Sequence, residues 1–390
     1  MFTPYDTPNI LRRYSVIAVI LLNIYTRSDA EDRVAAKAQS YVEENDRITV
    51  ESYYILWDKD WGEKWSTSIE GIYNTISGAT PTGSLDPNTG QPTYSVLDDH
   101  RGAFIFNVDR YLGDWTITGN FNFSEETDYE SVGGAVTVAK DFNQKNTNIS
   151  LGYGYLADRV QPNGPGFNSF RPQDKRIKDL VFGWTQVVDP YTLFSFNLAY
   201  SRNEGYLNDP YKSISFTQTI PFVGTIYLPE LENRPRERDR FIVTAQVNRR
   251  FEKLMGTAQG SYRFSTDSFG IDTHTVSFAW FQDITDWLII QPYGRYYRQS
   301  AADFYFHVLD NPGFNPSSVP PGAEPYFSAD HRLSELETLT GGLKAIFTIR
   351  DNITLDIAYE RYVMSGLDGV TPDEVYSKAN TVTIGASFRF

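Results

Sequence analysis

The sequence contains no cysteine, and this absence excludes several kinds of chemistry. Thiolate zinc sites, iron–sulfur clusters and thiol nucleophiles all need cysteine. The absence fits a compartment in which thiols oxidise, although it also fits many cytosolic proteins. Histidine is scarce as well, and none of the four histidines is paired with another at the two-residue spacing of metal ligands. We therefore predict neither a metal site nor a cofactor.

The sequence also lacks a hydrophobic run long enough to cross a membrane as a helix. Charged residues make up 22% of the chain and the mean hydropathy is −0.40. The formal net charge of −14 argues against a nucleic-acid partner. A transmembrane β-barrel remains compatible with these values, because every second residue of its strands faces away from lipid.

Aromatic residues and alternating segments are what the chain has in abundance. Tyrosine, phenylalanine and tryptophan make up 15% of the sequence, which suits the aromatic girdles of membrane barrels. In TVTIGASFRF, Val382, Ile384 and Phe388 alternate with Thr383 and small or polar residues. This period of two predicts an amphipathic strand.

About sixteen segments repeat this alternation. They are 33–43, 47–57, 64–76, 101–110, 114–124, 129–139, 147–157, 177–187, 191–201, 239–249, 256–265, 272–282, 287–297, 338–349, 352–362 and 380–390. Their length suits tilted strands that cross a bilayer. Short links alternate with long ones, the longest being 202–238 and 300–337. The prediction is an all-β, transmembrane, up-and-down antiparallel β-barrel of about sixteen strands, with long outer loops and short periplasmic turns.

The first thirty residues resemble a secretory signal peptide. Arg12 and Arg13 precede the apolar stretch SVIAVILLNIY, and the small residues Ser28 and Ala30 precede an acidic start. A short buried core helix is the alternative. We expect residues 1–30 to be a signal peptide and residues 31–390 to form a single barrel domain in the bacterial outer membrane.

The alternation also predicts which side chains face lipid. The predicted outward residues are Trp115, Phe121, Phe123, Tyr153, Tyr155, Phe182, Trp184, Phe194, Phe196, Tyr359 and Phe388. The predicted inward residues are Thr116, Asn120, Asn122, Ser150, Ser195 and Thr383. The same phase places Glu51 and Glu70 inside the barrel.

Pro292 cannot donate to a strand ladder, so a bulge or an interruption of pairing is expected there.

The longest loops supply the candidate functional residues. Their apolar stretches TIPFVGTIYLPEL and NPGFNPSSVPPGAEPYF should be buried against each other or inside the barrel mouth. We expect Arg234, Arg236 and Arg238 to pair with acids such as Asp303 and Asp330 across the opening. Binding of carboxylate, phosphate or lipopolysaccharide by the arginines is the alternative. The candidates for the lumen and mouth are Arg234, Arg236, Arg238, Arg240, Arg263, Arg295, Asp303, Asp330, Asp356 and Glu360.

The motif DTHT offers one catalytic alternative. Asp272 and His274 are two residues apart on a strand, a spacing that lets a carboxylate and an imidazole share a water. However, His274 has the same phase as Val276, Phe278 and Trp280, which are outward by pattern. An interfacial position is therefore the favoured interpretation, and we expect no enzymatic activity.

Seven stretches resemble a known family. They are TISGATPTG, KNTNISLGYGY, GYLNDPYKSI, ENRPRERDR, DSFGIDTHT, RYYRQSAADFYF and YFSADHRLS, in this order. Across most of residues 70–335 the chain thus resembles the bacterial family of proteins of unknown function DUF3570. The resemblance implies an exported barrel and does not define an activity.

Three functions remain open on the sequence. The first is a channel, or the membrane component of a transport or export system, with a lumen restricted by loops. The second is a closed barrel that anchors an exported partner, and the third is a hydrolase at the Asp272 and His274 rim. The expected partners are outer-membrane lipid, lipopolysaccharide and the barrel-assembly machinery, the last contacted through the aromatic Phe390. No nucleic acid is expected.

Overall fold

The computed structural model describes residues 32–162, 170–220, 222, 224–311 and 314–390. The expected signal peptide, residues 1–30, lies outside them and stays a prediction. The strands are β1 (Arg33–Glu43), β2 (Ile48–Asp60), β3 (Trp65–Leu85), β4 (Pro92–Leu112), β5 (Trp115–Glu126), β6 (Tyr129–Phe142), β7 (Thr147–Val160), β8 (Gln173–Asp189), β9 (Thr192–Gly205), β10 (Ser213–Ile220), β11 (Gly224–Leu231), β12 (Glu237–Phe251), β13 (Gly256–Asp267), β14 (Asp272–Thr285), β15 (Leu288–Gln299), β16 (Val308–Leu309), β17 (Leu336–Arg350), β18 (Ile353–Gly366) and β19 (Lys378–Arg389).

Sixteen of these strands form a closed antiparallel barrel. The order around the ring is β1, β19, β18, β17, β15, β14, β13, β12, β9, β8, β7, β6, β5, β4, β3 and β2. The first and last strands close it, with Val34 opposite Phe388, and the Phe390 amide donates to the Asp32 carbonyl at 2.9 Å. All sixteen predicted segments are barrel strands, so the predicted fold and the predicted pairing of the last strand are confirmed.

Side chains alternate between the two faces of the barrel wall. In β7, Tyr153 is 53% exposed, whereas Leu156 on the other face is 2% exposed. The predicted outward aromatics are exposed or half-buried on the outer face, and the predicted inward polar residues alternate with them, so the phase is confirmed for these strands. Glu51 was assigned wrongly. It shares the outward phase of Tyr53 and accepts a hydrogen bond from Ser40 at 2.6 Å.

The two ends of the barrel differ in their connections. One end has only short turns, formed by residues 61–64, 113–114, 143–146, 190–191, 252–255, 286–287 and 351–352. The other end has the longest loops, 206–236 and 300–335, and we call it the mouth. Short links such as 127–128 and 268–271 also occur at the mouth, so the alternation of link length is less regular than predicted.

Aromatic side chains lie on the outer face of the barrel near the short turns. Trp65 and Trp115 are exposed there, and Arg110 and Lys140 lie over their rings at 4.5 and 4.7 Å from the ring centroids. This combination of amphipathic rings and basic side chains is typical of a membrane interface.

Among the described residues, the only helices are short 3₁₀ turns, and none is long and apolar enough to span a membrane.

Pro292 interrupts one of its two ladders. Pairing between β14 and β15 stops after Ala279–Tyr293 and resumes at Gln282–Ile290 in the same register. On the other side, Pro292 lies regularly opposite Leu343. The predicted interruption is therefore confirmed on one side, without a bulge at this position.

Two features project beyond the barrel rim at the mouth. The β3–β4 hairpin continues past the point where β4 last pairs with β5, at Arg101 and Glu126. A separate three-stranded sheet is formed by β11, β10 and β16, with β10–β11 antiparallel and β10–β16 parallel. This small sheet belongs to the two longest loops and was not predicted.

Candidate functional site at the barrel mouth

The two longest loops, residues 206–236 and 300–335, pack together at the mouth, and we call them the lid. Their backbones meet at Asn233 and Phe327, each of which donates to the other's carbonyl at 2.8 Å. The Phe327 side chain belongs to a buried apolar cluster with Ile214, Leu309 and Ala329. Burial of the apolar loop stretches explains why the lid adopts a defined structure.

The lid is attached to the β3–β4 hairpin by polar contacts. The Ser213 hydroxyl donates to the Ser84 hydroxyl at 3.0 Å, and the Leu85 amide donates to the Ser215 hydroxyl at 2.8 Å. Gly83 has a φ of +97°, and a Cβ there would lie 2.5 Å from the Ser213 carbonyl oxygen. A glycine is therefore needed where the hairpin and the lid approach most closely.

Five charged residues, three of them buried and two half-buried, hold the lid loops to each other. We call Asp209, Glu232, Arg234, Asp330 and Arg332 the lid ion cluster. Arg234 lies 2.7 Å from Glu232 and 2.8 Å from Asp330, and Arg332 lies 2.8 Å from Asp209 and 2.5 Å from Asp330. Arg234 and Asp330 are only 3% and 1% exposed. Because a buried charge without its partner is costly, this arrangement favours a closed lid.

The surroundings of the cluster shift the pKa values of its members and neighbours. Burial acts to raise the pKa of Asp330, but Arg332, Lys212 and Arg234 outweigh it and hold that pKa well below its ordinary value. Burial lowers the pKa of Lys212 to about 8. The Lys212 ammonium donates to the Pro81 carbonyl of the hairpin. Burial also lowers the pKa of His331 well below its ordinary value, so this imidazole is neutral near pH 7.

A cavity of about 250 Å³ lies between the lid and the barrel wall. Residues 206–211 and 330–333 of the lid line it from above, and inward side chains from strands around the ring line it below. Arg240 of β12, Arg263 of β13 and Arg295 of β15 contribute to one wall, which we call the arginine wall. Asp267 also lines this wall, paired with Arg238 and 3.5 Å from Arg240.

Three carboxylates line the cavity about halfway around the ring from the arginine wall. Oxygens of Asp99, Glu126 and Asp128 lie within 4.8 Å of one another. Protein groups already contact all three: the Thr127 hydroxyl donates to Asp99, the Tyr211 hydroxyl donates to Asp128 at 2.6 Å, and Arg101 lies 3.7 Å from Glu126. We assign no metal ion to this group, and the expected absence of a metal site stays a prediction.

The structure brings only some of the predicted mouth residues together. Arg234 contacts Asp330, as expected, whereas Arg238 pairs with Asp267 and exposed Arg236 donates to the Pro321 carbonyl at 3.2 Å. Asp303 was assigned wrongly as an arginine partner. Its carboxylate lies against Gly270, and its amide donates to the Phe269 carbonyl at 2.9 Å.

The remaining candidates lie on the inner face of the barrel. Arg240, Arg263 and Arg295 line the cavity. Deeper in the wall, Asp356 pairs with Lys344 at 2.8 Å, and Glu360 is buried. Sequence reasoning placed these strands correctly but did not identify the lid ion cluster as a unit. Its members are distant in sequence, and only the path of the two loops brings them together.

Asp272 and His274 lie at exposed positions on the outer face of β14. The imidazole Nδ1 of His274 is 2.7 Å from the Tyr262 hydroxyl on the neighbouring strand. The ring of His274 also packs on Phe264, with centroids 5.2 Å apart. These contacts are those of an aromatic cluster on the outer surface, and the cavity lies on the opposite face of the wall.

Comparison with known proteins identifies the family. The model of the family described as protein of unknown function (DUF3570) matches residues 85–389. The chain belongs to the DUF3570 family. No curated protein matches the sequence.

Solved structures similar to this DUF3570 protein are outer-membrane barrels. CdiB from Acinetobacter baumannii has a TM-score of 0.52 at 7% identity, over 93% of this chain and 61% of that one. The siderophore receptor PirA from Pseudomonas aeruginosa has a TM-score of 0.45 at 10% identity, over 93% and 62%. A bacterial polysaccharide outer membrane secretin has a TM-score of 0.47 at 8% identity, over 93% and 100%. The chain therefore spans less than two thirds of the receptor's length, and the likeness shows the fold alone.

The stretches that carry the DUF3570 resemblance gather at the mouth, with one exception. GYLNDPYKSI, ENRPRERDR and YFSADHRLS supply the lid ion cluster, and DSFGIDTHT and RYYRQSAADFYF supply the adjoining wall. TISGATPTG, which precedes the matched region, forms the part of β3 that contacts the lid. Only KNTNISLGYGY lies at the short-turn end. Six of the seven stretches that resemble the DUF3570 family thus form parts of the lid, the cavity wall and the hairpin that contacts the lid.

Proposed function

We propose that this DUF3570 protein is an outer-membrane channel that passes small solutes through a lumen restricted by its lid. Its mouth would face the cell exterior and its short turns the periplasm, as in outer-membrane barrels generally. The observation that supports this proposal is the cavity enclosed between residues 206–211 and 330–333 of the lid and the inward wall. A sixteen-stranded barrel is wide enough for an aqueous lumen, so the lid sets the size limit.

The lid would have to move for a solute to enter from outside. The Arg234 and Arg332 ion pairs close the gap between its two loops. The Ser213–Ser84 contact attaches the lid to the hairpin. A solute path therefore requires either a shift of these contacts or passage through narrow gaps beside them, and we expect large solutes to be excluded in both cases.

Anchoring of an exported partner is the second candidate function. It is favoured by the projection of the β3–β4 hairpin and the small sheet beyond the rim. Val96 of the hairpin is 82% exposed, and Phe222 at the tip of the β10–β11 hairpin is fully exposed. Exposed apolar side chains on projecting elements are common in protein-binding surfaces.

Neither candidate includes a catalytic step, and we propose that the protein is not an enzyme. The outward position of Asp272 and His274 supports this, because it separates them from the cavity. Contacts with lipid, lipopolysaccharide and, through Phe390, the barrel-assembly machinery also belong to the proposal. Stacking of Phe390 on Phe388, with centroids 5.7 Å apart, presents two aromatic rings on the last strand for such contacts.

Conductance in planar lipid bilayers tests the channel proposal. In a lid-shortened variant, residues 214–230 are replaced by two glycines, since Ser213 and Leu231 already lie opposite each other in the β10–β11 ladder. We expect single-channel conductance to rise in this variant. A control variant replaces residues 86–91 with two glycines, which shortens a hairpin tip that does not line the cavity.

The outcomes separate the two functions. Conductance that increases only in the lid-shortened variant supports a restricted channel. Conductance that is unchanged by lid shortening contradicts the role of the lid. Absence of conductance from both the intact and the shortened protein contradicts the channel and favours the anchor.

A further inference from the structure

We infer that the cavity below the lid binds small oxyanions, meaning solutes that carry a carboxylate or phosphate group, at the arginine wall. This inference names a solute class for the proposed channel and rests on that proposed function for its physiological meaning. The binding itself is a property of the cavity and can be measured without any conductance.

The charge balance of the wall is the first argument. Within the cavity lining, strands β12 to β15 contribute Arg238, Arg240, Arg263 and Arg295 but only one carboxylate, Asp267. Asp267 already pairs with Arg238 and is also close to Arg240. This side of the cavity is therefore positive, and a low-dielectric enclosure strengthens the attraction of an anion to it.

The arrangement of the arginine wall is the second argument. Arg240 lies opposite Asp267, near the outer end of β13, and Arg263 lies on the same strand closer to the short turns. Thr275 lies opposite both Arg263 and Tyr297, while Arg295 is two residues deeper on β15. The three guanidinium groups thus descend stepwise from the mouth into the barrel.

The spacing allows more than one arginine to contact the same solute. Arg263 and Arg295 are separated by two strand spacings, about 10 Å across the sheet. Long side chains from both positions can reach a ligand between them. A planar guanidinium donates two parallel hydrogen bonds to a carboxylate or a phosphate, which makes arginine better suited than lysine to such a site.

The remainder of the cavity determines where an anion is held. Asp99, Glu126 and Asp128 line it about halfway around the ring, so their charges repel an anion toward the arginine wall. The Thr275 hydroxyl on the arginine side supplies a neutral donor, whereas the Tyr297 hydroxyl already donates to the Gln299 side-chain oxygen at 2.6 Å. A volume of about 250 Å³ accommodates an oxyanion with a small organic part.

Equilibrium binding to the intact, detergent-solubilised protein tests the inference. Inorganic phosphate and citrate serve as the two oxyanion probes, and glucose serves as an uncharged probe, with heats measured by titration calorimetry at low salt. We expect phosphate or citrate to bind and glucose to give no signal. Preference between phosphate and citrate shows which oxyanion class the wall selects.

The variants assign binding to the wall. Arg263→Gln combined with Arg295→Gln should weaken oxyanion binding at least tenfold, whereas Arg263→Lys combined with Arg295→Lys should weaken it less because charge is retained. Arg249→Gln is the matched control. Arg249 is exposed at the short-turn end and lies 3.6 Å from Asp189, so its loss changes net charge without touching the cavity.

Each result has one meaning for the inference. Absence of binding to the intact protein, or equal weakening by Arg249→Gln and by the glutamine double variant, overturns it. Folding of the glutamine double variant is judged by heat-modifiable electrophoretic mobility. If this variant does not fold, the lysine double variant and Arg295→Gln replace it. Unchanged oxyanion affinity in both of these variants overturns the inference. Specific binding without bilayer conductance from either the intact or the lid-shortened protein keeps the oxyanion site and refutes only the channel.

Discussion

At the scale of single residues, Arg234 and Arg236 show how context decides the role of a side chain. Both belong to one run of alternating arginines, yet Arg234 is buried between two carboxylates and Arg236 is exposed. The sequence indicated that Arg234 would meet an acid such as Asp330. It could not show that Asp303 would lie against Gly270, because that contact depends on the path of two distant loops.

We predict that Arg234→Met loosens the lid while Arg236→Met does not. Removal of Arg234 leaves Glu232 and Asp330 without a shared cation, which costs about 3–5 kcal/mol for a buried pair. Removal of exposed Arg236 should cost less than about 0.5 kcal/mol. Hydrogen–deuterium exchange of residues 206–236 measures the difference. Equal exchange in the two variants would show that the lid ion cluster does not hold the lid.

Lys212 predicts a pH dependence of lid closure. Its pKa is lowered by burial from 10.5 to about 8, so between these values the open lid binds more protons than the closed lid. Stability of the closed lid should therefore rise as pH increases from about 8 to about 10 and be flat just below 8. Cleavage of the lid by subtilisin should slow over this window. Lys212→Met should abolish the dependence, and its persistence in that variant would assign it to another group.

At the scale of secondary structure elements, the barrel strands were predictable and the lid sheet was not. A barrel strand has one face toward lipid, so outward and inward residue types alternate along its sequence. In β7, for example, Tyr153 faces outward and Leu156 faces inward. β10 and β11 lie instead between a projecting hairpin and a loop cluster. The stretch SISFTQTI alternates Ile214, Phe216 and Ile220 with serine and threonine, but at eight residues it is too short for a membrane-crossing strand. The stretch GTIYLPEL has no such alternation and contains Pro229, which favours a loop.

A reversible cross-link between the β3–β4 hairpin and strand β10 of the lid provides the third prediction. The hydroxyl oxygens of Ser84 on β3 and Ser213 on β10 are 3.0 Å apart, and serine to cysteine is a conservative change. We expect Ser84→Cys combined with Ser213→Cys to form a disulfide under oxidising conditions. Because the chain has no cysteine of its own, the cross-link is unambiguous.

The cross-link should restrict lid movement. Oxidation is expected to lower the frequency of conductance transitions in planar bilayers, and reduction is expected to restore it. The single variants Ser84→Cys and Ser213→Cys are the controls and should not respond to oxidant. A cross-linked protein with unaltered transitions would show that solutes pass without displacement of the β10–β11 hairpin.

At the scale of the whole molecule, closure of the barrel explains the polar composition of a membrane-type fold. Every barrel strand pairs on both sides, and β1 and β19 complete the ring. A closed ring leaves no strand edge in lipid, so only alternate residues need to be apolar. The strand pairing establishes this architecture, whereas the proposed solute class is argued from the lining of the cavity.

The distribution of tryptophan supports the fourth prediction, which concerns the orientation of the wall toward lipid. All seven tryptophans lie in the half of the barrel that ends in the short turns. They are Trp57, Trp61, Trp65, Trp115, Trp184, Trp280 and Trp287. Trp65, Trp115 and Trp287 are 44%, 45% and 53% exposed on the outer surface. Such a one-sided set is expected where aromatic rings mark a single membrane interface.

Fluorescence quenching in reconstituted vesicles tests this arrangement. Lipids brominated near the headgroup should quench tryptophan emission more strongly than lipids brominated at the chain end, because the rings are concentrated near one interface and away from the bilayer centre. Trp115→Phe, which removes one ring near a short turn, should reduce the headgroup-proximal quenching more than the chain-end quenching. Emission that is quenched by aqueous acrylamide but by neither lipid would mean that these residues face water, and the outer face of the barrel would then have to be reassigned.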